Sequence, residues 1–183
     1  MEMQGSRPLA ATQQQAWDGL NDPGVLQRCI PGCSTVELAG EGCYTVGMAL
    51  KAGPVSARFG GRITLSDVQA PECCTIAFEG QGGAAGSGAG SARIRLVPNG
   101  AGCELQYAVA AHAGGRIGQL GRRLVDGVAR SLTDEFFRRF DDEMRRRHGP
   151  AGDEAPAAGQ APQKAGWLAR LAGRRKDQGR EAA

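Results

Sequence analysis

The sequence predicts an α+β domain in which one antiparallel β-sheet, apolar on a single face, is closed by one long helix near the domain's C-terminal end. Three observations carry this. From Thr35 to Val109, apolar and polar residues alternate in short runs separated by glycine, proline and asparagine, the period-two pattern of half-buried strands. Over Arg116–Phe140 the period lengthens: Ile117, Leu120, Leu124, Val128, Leu132 and Phe136 recur at spacings of three and four, one stripe of a helix with about 3.6 residues per turn. At Gly149 periodicity gives way to a Pro-, Ala- and Gly-rich segment that buries too little surface to order itself.

Taken in order, Met1–Ala10 reads as a first strand. Thr12 and Gln15 then match a capping box, in which each side chain satisfies the other's orphan amide, and a short helix follows through Trp17 and Leu20. Asn21-Asp-Pro-Gly24 stops it, and Val25, Leu26 and Ile30 suggest a further helical turn before Pro31-Gly32. In the meander, Tyr44, Val46, Met48 and Leu50 alternate with polar or small residues. So do Val55, Ala57, Phe59, Ile63 and Leu65, then Ile76 and Phe78, Ile94 and Leu96, and finally Leu105, Tyr107 and Val109. Six strands with one apolar face need a cover, and the Arg116–Phe140 helix supplies it. Gly118, Gly121 and Gly127 each cost that helix about 1 kcal/mol relative to Ala, and are expected where a cavity wall thins to admit a ligand.

Length and composition bound the rest. The chain has 183 residues, enough for one domain with a core and an appendage. With 5% aromatics against 29 glycines, the core is built from aliphatic side chains and packs loosely or leaves space. Six cysteines stand in a chain whose first residues hold no apolar run of the secretory type, so reduced thiols and a cytoplasmic location are expected. Cys29-Ile-Pro-Gly-Cys33 lacks a second pair, and the histidines are His112 and His148 alone, so no metal site is expected. A nearly neutral domain body with few aromatics excludes a nucleic-acid platform, and no stretch approaches the ~20 apolar residues of a membrane-spanning helix.

Catalytic chemistry is thin. Gly80–Ser91 is rich in glycine, but a strand follows it and no Gly-Lys-Ser/Thr closes it, so it reads as a hairpin of small residues that keep a cavity mouth open. His112 has no visible partner. Asp126, Asp134 and Glu135 lie at ion-pair spacing from arginines on the long helix. Tyr107 is one of few polar groups able to orient a ligand in an apolar interior. A one-sided sheet under a glycine-bearing helix, with no catalytic set, is a container for an apolar molecule.

Several motifs in sequence order also resemble those of the carbon monoxide dehydrogenase G-subunit family. They are Trp17-Asp-Gly-Leu-Asn-Asp-Pro-Gly-Val-Leu26, Arg28-Cys-Ile-Pro-Gly-Cys33, Gly53-Pro-Val-Ser-Ala-Arg-Phe59, Gly82-Gly-Ala-Ala-Gly86 and Gly118-Gln-Leu-Gly-Arg-Arg-Leu-Val-Asp-Gly127. The resemblance covers about the first three quarters of the chain. It implies a START-like, Bet v 1-like helix-grip domain over residues 1–148: an antiparallel sheet wrapped around a long C-terminal helix with an apolar cavity between them. It also implies an accessory role, without catalytic residues, beside a molybdenum-containing carbon monoxide dehydrogenase or related hydroxylase at the cytoplasmic membrane.

Mapped by position, the sheet is expected to line the cavity with Met48, Leu50, Phe59, Ile63, Phe78, Tyr107 and Val109, and the helix with Leu120, Gly121, Leu124 and Val128. The ligand is expected to be a hydrophobic small molecule such as a respiratory quinone or a lipid, with no cofactor required. Residues 149–163 form a linker, and residues 164–183 a basic amphipathic tail. In that tail Trp167, Leu168 and Leu171 would enter a membrane surface while Arg174, Arg175 and Lys176 meet anionic lipid. The alternative is an enzyme of cyclase or hydratase type on the same fold, working through Tyr107 or His112. A third reading is an interaction module whose interior is merely core.

Overall fold

The computed structural model describes residues 1–149 of the chain. Seven strands form one antiparallel sheet: β1 (Glu2–Leu9), β2 (Cys33–Gly40), β3 (Cys43–Ala52), β4 (Val55–Gln69), β5 (Cys73–Gln81), β6 (Ser87–Asn99) and β7 (Gly102–Ala113). Their order across the sheet is β1-β7-β6-β5-β4-β3-β2, so the first strand crosses over to pair with the last and the remainder is a meander. Helices α1 (Gln13–Leu20) and α2 (Pro23–Cys29) fill the crossover from β1 to β2. A short α3 (Gly115–Gly118) and the 27-residue α4 (Arg122–His148) follow the sheet. This is the helix-grip arrangement.

The seventh strand, β2, is not counted separately in the sequence, because its alternation is short, Val36 and Leu38 against Thr35 and Glu37. It is a sheet edge, and Val36 alone among its residues is buried, so selection for an apolar alternation is weak there. The helix starts are as expected: Thr12 N–H donates to Gln15 Oε1 at 2.9 Å, and Gln15 N–H returns a bond to Thr12 Oγ1 at 3.3 Å. Asp22 caps α2, accepting from Gly24 and Val25 N–H ahead of Pro23, whose missing N–H costs nothing in the first turn.

The expected single helix from Arg116 is two helices. After α3 the chain turns at Gln119–Gly121, and Gly121 caps α4 at φ 86° and ψ 147°, a conformation that essentially only glycine adopts. The break rotates the buried stripe. In α4 the fully covered residues lie at the far end, Phe137, Phe140, Glu143 and Met144, whereas Leu124 near the start is exposed.

Burial is therefore uneven along one sheet face. At one end Leu9, Trp17, Val25, Leu96, Leu105, Phe140 and Met144 form a dense core shared by the sheet, α1, α2 and α4. Each large apolar side chain buried there contributes roughly 1.5–3 kcal/mol. The same end is bolted by charge: Glu143, 5% exposed, accepts from Arg28 at 2.7 Å, Arg146 at 2.6 Å and Arg147 at 2.9 Å, and Arg147 also reaches Asp22 at 2.9 Å. Burial alone would push the Glu143 carboxyl up, but the three guanidinium hydrogen bonds outweigh it and hold the group down at about 2.

Candidate ligand-binding cavity

The hollow half of the sheet follows from the register. Gly61 of β4 pairs with Gly80 of β5, Gly80 with Gly88 of β6, and Gly88 with Ala113 of β7. One transverse row on the inward face thus has almost no side chains. The neighbouring row runs Ile63, Phe78, Gly90 and Ala111, and half of it is also small. Opposite, α4 presents Val125, Val128, Ala129 and Leu132, and α3 presents Ile117. The space left between them is a cavity of about 530 Å³, within the ~300–1,000 Å³ usual for small-molecule sites. Val46, Met48 and Leu50 of β3 wall one side, and Ile30 and Met1 also border it. The Met1 ammonium is tied to the Ala111 carbonyl at 2.9 Å.

Among the expected lining residues, Met48, Leu50, Phe59, Ile63, Phe78 and Val128 are brought together here. The other five are not. Tyr107 packs against Phe137 with ring centroids 5.3 Å apart and planes tilted by 31°, and with Val109 it borders a separate groove of about 950 Å³ beside edge strand β1. Arg7, Thr133 and Asp134 line that groove too, and Arg7 pairs with Asp134. Leu120 packs on the small cluster of Val55, Ala85 and Ile117, Gly121 is the α4 cap, and Leu124 lies exposed by the Gly53 turn. The cause is the helix break, which turns the face holding Val125, Ala129 and Leu132 inward.

The three helical glycines separate in role. Gly118 borders the cavity, and a Cβ there would stand 2.6 Å from the Ala113 carbonyl oxygen. Gly121 supplies a backbone angle. Gly127 is exposed with nothing near it and thins no wall. In the glycine-rich hairpin, Gly82 leaves room for the Phe59 ring, and Gly86 lets the short 3₁₀ turn at Gly83–Ala85 lie against Gly114 and Gly115. These close approaches account for Gly82 and Gly86, whereas Gly83 has open space and a φ of +57°.

Polar groups at the cavity are few. Arg62, Glu79 and His112 border it from strand positions whose side chains are exposed, where the strand backbone itself forms the wall. Asp126 differs. Its Oδ2 lies 3.6 Å from Arg122 Nε, and its Oδ1 is shielded from solvent with no hydrogen-bond partner among the described residues. Helical spacing predicts a surface ion pair for Asp126; the pairing with Arg122 is present, but spacing carries no signal for the buried second oxygen. Among the described residues no three His, Cys, Asp or Glu side chains gather as a metal site, and no helix is long and apolar enough to cross a membrane. Trp167, Leu168, Leu171, Arg174, Arg175 and Lys176 lie outside the described residues, as does the linker beyond Gly149.

Comparison with known proteins adds to this geometry. A family model described as the carbon monoxide dehydrogenase G-subunit (CoxG) matches residues 5–144. A conserved protein from Geobacillus kaustophilus is 30% identical, with a TM-score of 0.76 over 80% of this chain and 96% of that one. A Thermus thermophilus protein is 12% identical, with a TM-score of 0.62 over 81% and 99% of the two chains. The Zhui aromatase/cyclase from Streptomyces is 18% identical, with a TM-score of 0.58 over 80% and 94%. These last two share the fold. No curated protein sequence matches the chain.

Proposed function

The chain belongs to the CoxG family, the carbon monoxide dehydrogenase G-subunits, and from that premise we propose that it is a non-catalytic accessory protein that binds a hydrophobic small molecule, a respiratory quinone or lipid, in the cavity between α4 and the sheet. The observation that carries the reading is the row of Gly61, Gly80, Gly88 and Ala113, which leaves an apolar hollow between sheet and helix. In this role it serves a molybdenum-containing carbon monoxide dehydrogenase or related hydroxylase on the inner face of the cytoplasmic membrane. Such an enzyme must deliver electrons to an acceptor dissolved in lipid, so a partner able to hold that electron carrier in water, whether to bring its oxidised form or to take away its reduced form, solves a transport problem. Each chain carbon buried in the cavity contributes about 0.8 kcal/mol.

Two measurements test the proposal. Organic extracts of the purified protein, analysed by mass spectrometry, are expected to contain a quinone or lipid, or the empty protein to take up quinone when offered; failure of both refutes the binding role. Removal of residues 164–183 is expected to weaken partition onto anionic vesicles, and unchanged partition refutes membrane recruitment through the tail. The enzyme alternative rests on Tyr107 or His112. Tyr107 borders the separate groove and His112 is an exposed rim residue, so neither placement favours chemistry on a molecule held in the cavity.

A further inference from the structure

We propose that Asp126 selects the head group of the cavity's ligand, favouring a molecule whose polar end carries a hydrogen-bond donor, such as the hydroquinol form of a quinone over the quinone itself. The inference rests on the reading that the cavity holds a lipophilic molecule, and goes on to name that molecule's polar chemistry. Asp126 borders the cavity amid Ile117, Val125 and Ala129, and its Oδ1 is the buried side-chain oxygen left without a partner among the described residues. Oδ1 is shielded from solvent although the Asp126 side chain as a whole is 29% exposed, and a shielded acceptor of this kind is placed to take a hydrogen bond from a donor that enters the cavity beside it. Arg122 does not make that bond. Its Nε stands 3.6 Å from the other oxygen, beyond hydrogen-bond range, and its side chain is 84% exposed.

A carboxylate accepts hydrogen bonds and offers none. A quinone carbonyl has the same limitation, so beside Oδ1 the two oxygens would face each other as acceptors, and the Arg122 guanidinium, which also borders the cavity, stands on the Oδ2 side and is mostly in solvent. A phenolic hydroxyl, an alcohol or an amine instead donates to Oδ1. Asp126 stands near the start of α4, close to the Gln119–Gly121 break, whereas Val128, Ala129 and Leu132 continue along the cavity wall. The head group therefore sits by the break, with its chain running along α4 over Ile63 and Phe78.

The test uses the full chain and two matched probe pairs: 4-dodecylphenol with its methyl ether, and decylubiquinol with decylubiquinone under anaerobic conditions. Each competes against 1,6-diphenyl-1,3,5-hexatriene, a hydrocarbon dye with no hydrogen-bond donor or acceptor. Wild type is expected to bind the donor-bearing member of each pair about ten- to a hundredfold more tightly, the range of a hydrogen bond to a charged group. Asp126→Leu is expected to bind both members equally, and Asp126→Asn, whose amide both donates and accepts, to lose most of the preference while keeping the side chain's shape. Gly127→Ala, one residue away on the solvent side, is expected to keep the preference, with melting curves checking that all variants fold. Equal binding of the pairs by wild type, or a preference that survives Asp126→Leu, overturns the role of Asp126 and leaves the cavity reading standing. No uptake of dye or probes by wild type overturns the cavity reading and this inference together.

Discussion

Filling the cavity from the helix side separates binding from folding. Ala129 lies on the α4 wall of the 530 Å³ hollow, and Ala129→Phe adds a phenyl ring there. If the ring occupies space a ligand chain would use, it excludes about five chain carbons, worth about 4 kcal/mol at ~0.8 kcal/mol each, close to a thousandfold in affinity. The folded state is affected differently. The ring buries new apolar surface in unfilled space, which offsets the roughly 1–3 kcal/mol of strain that overpacking costs in a dense core. Melting temperature is therefore expected to stay level or rise while affinity collapses. Calorimetric titration with 4-dodecylphenol reads both affinity and heat-capacity change, and the negative heat-capacity change of binding is expected to shrink along with affinity. A folded Ala129→Phe protein that binds within about threefold of wild type, well below 1 kcal/mol, would show that the ligand lies elsewhere.

The glycine that caps α4 and the glycine inside it should respond oppositely. Gly121→Ala forces a side chain onto a glycine-only backbone conformation and is expected to cost about 1–3 kcal/mol, whereas Gly127→Ala, exposed in mid-helix, is expected to stabilise by about 1 kcal/mol; urea midpoints check both. Glu143→Gln removes the charge that three arginines surround and is expected to cost roughly 2 kcal/mol at neutral pH, read as a lowered melting temperature. Because the Glu143 carboxyl is lowered from 4.5 to about 2, its contribution is whole above pH 4.5 and is lost as pH falls towards 2, so the gap between wild type and variant should close over that window. Burial pushes the Cys29 and Cys103 thiols up to about 11 and raises Cys74 as well, so these three are expected to react with a thiol reagent only on unfolding, well after the half-buried Cys43 and Cys73.

The sheet, its one apolar face and its covering helix were legible because period two and period 3.6 are imposed wherever one face is buried. β2 was not resolved as a strand of its own because its alternation is confined to Val36 and Leu38, and on this sheet edge only Val36 is buried. The strand side of the cavity was partly legible: Met48, Leu50, Phe59, Ile63 and Phe78 could be placed inward by alternation. The emptiness was half legible: the Gly80–Ser91 run reads as small residues that keep a cavity mouth open, but the alignment of Gly80 and Gly88 with Gly61 and Ala113 appears only once the register is known. On the helix side, periodicity gives a stripe but not the rotation introduced by a break. The φ of Gly121 therefore decided that Val125, Ala129 and Leu132 face inward in place of Leu120 and Leu124. Asp126 carried two meanings at one spacing, and only burial of its second oxygen separates them.

The uneven burial of α4 makes the helix a cantilever. Its far end is fixed by Phe137, Phe140, Met144 and the Glu143 arginine cluster, while its near end is held more lightly, by the Gln119–Gly121 turn and by Val125 against the cluster of Val55, Ala85 and Ile117. Arg122 lies about fifteen residues from Phe137, about 22 Å at ~1.5 Å per residue, so a tilt of about 5° at the fixed end displaces the tip by about 2 Å. A displacement of that size would shift Leu124 relative to the Gly53 turn without requiring any pair of strands to separate. Dense packing and cavity lining thus belong to opposite ends of one helix.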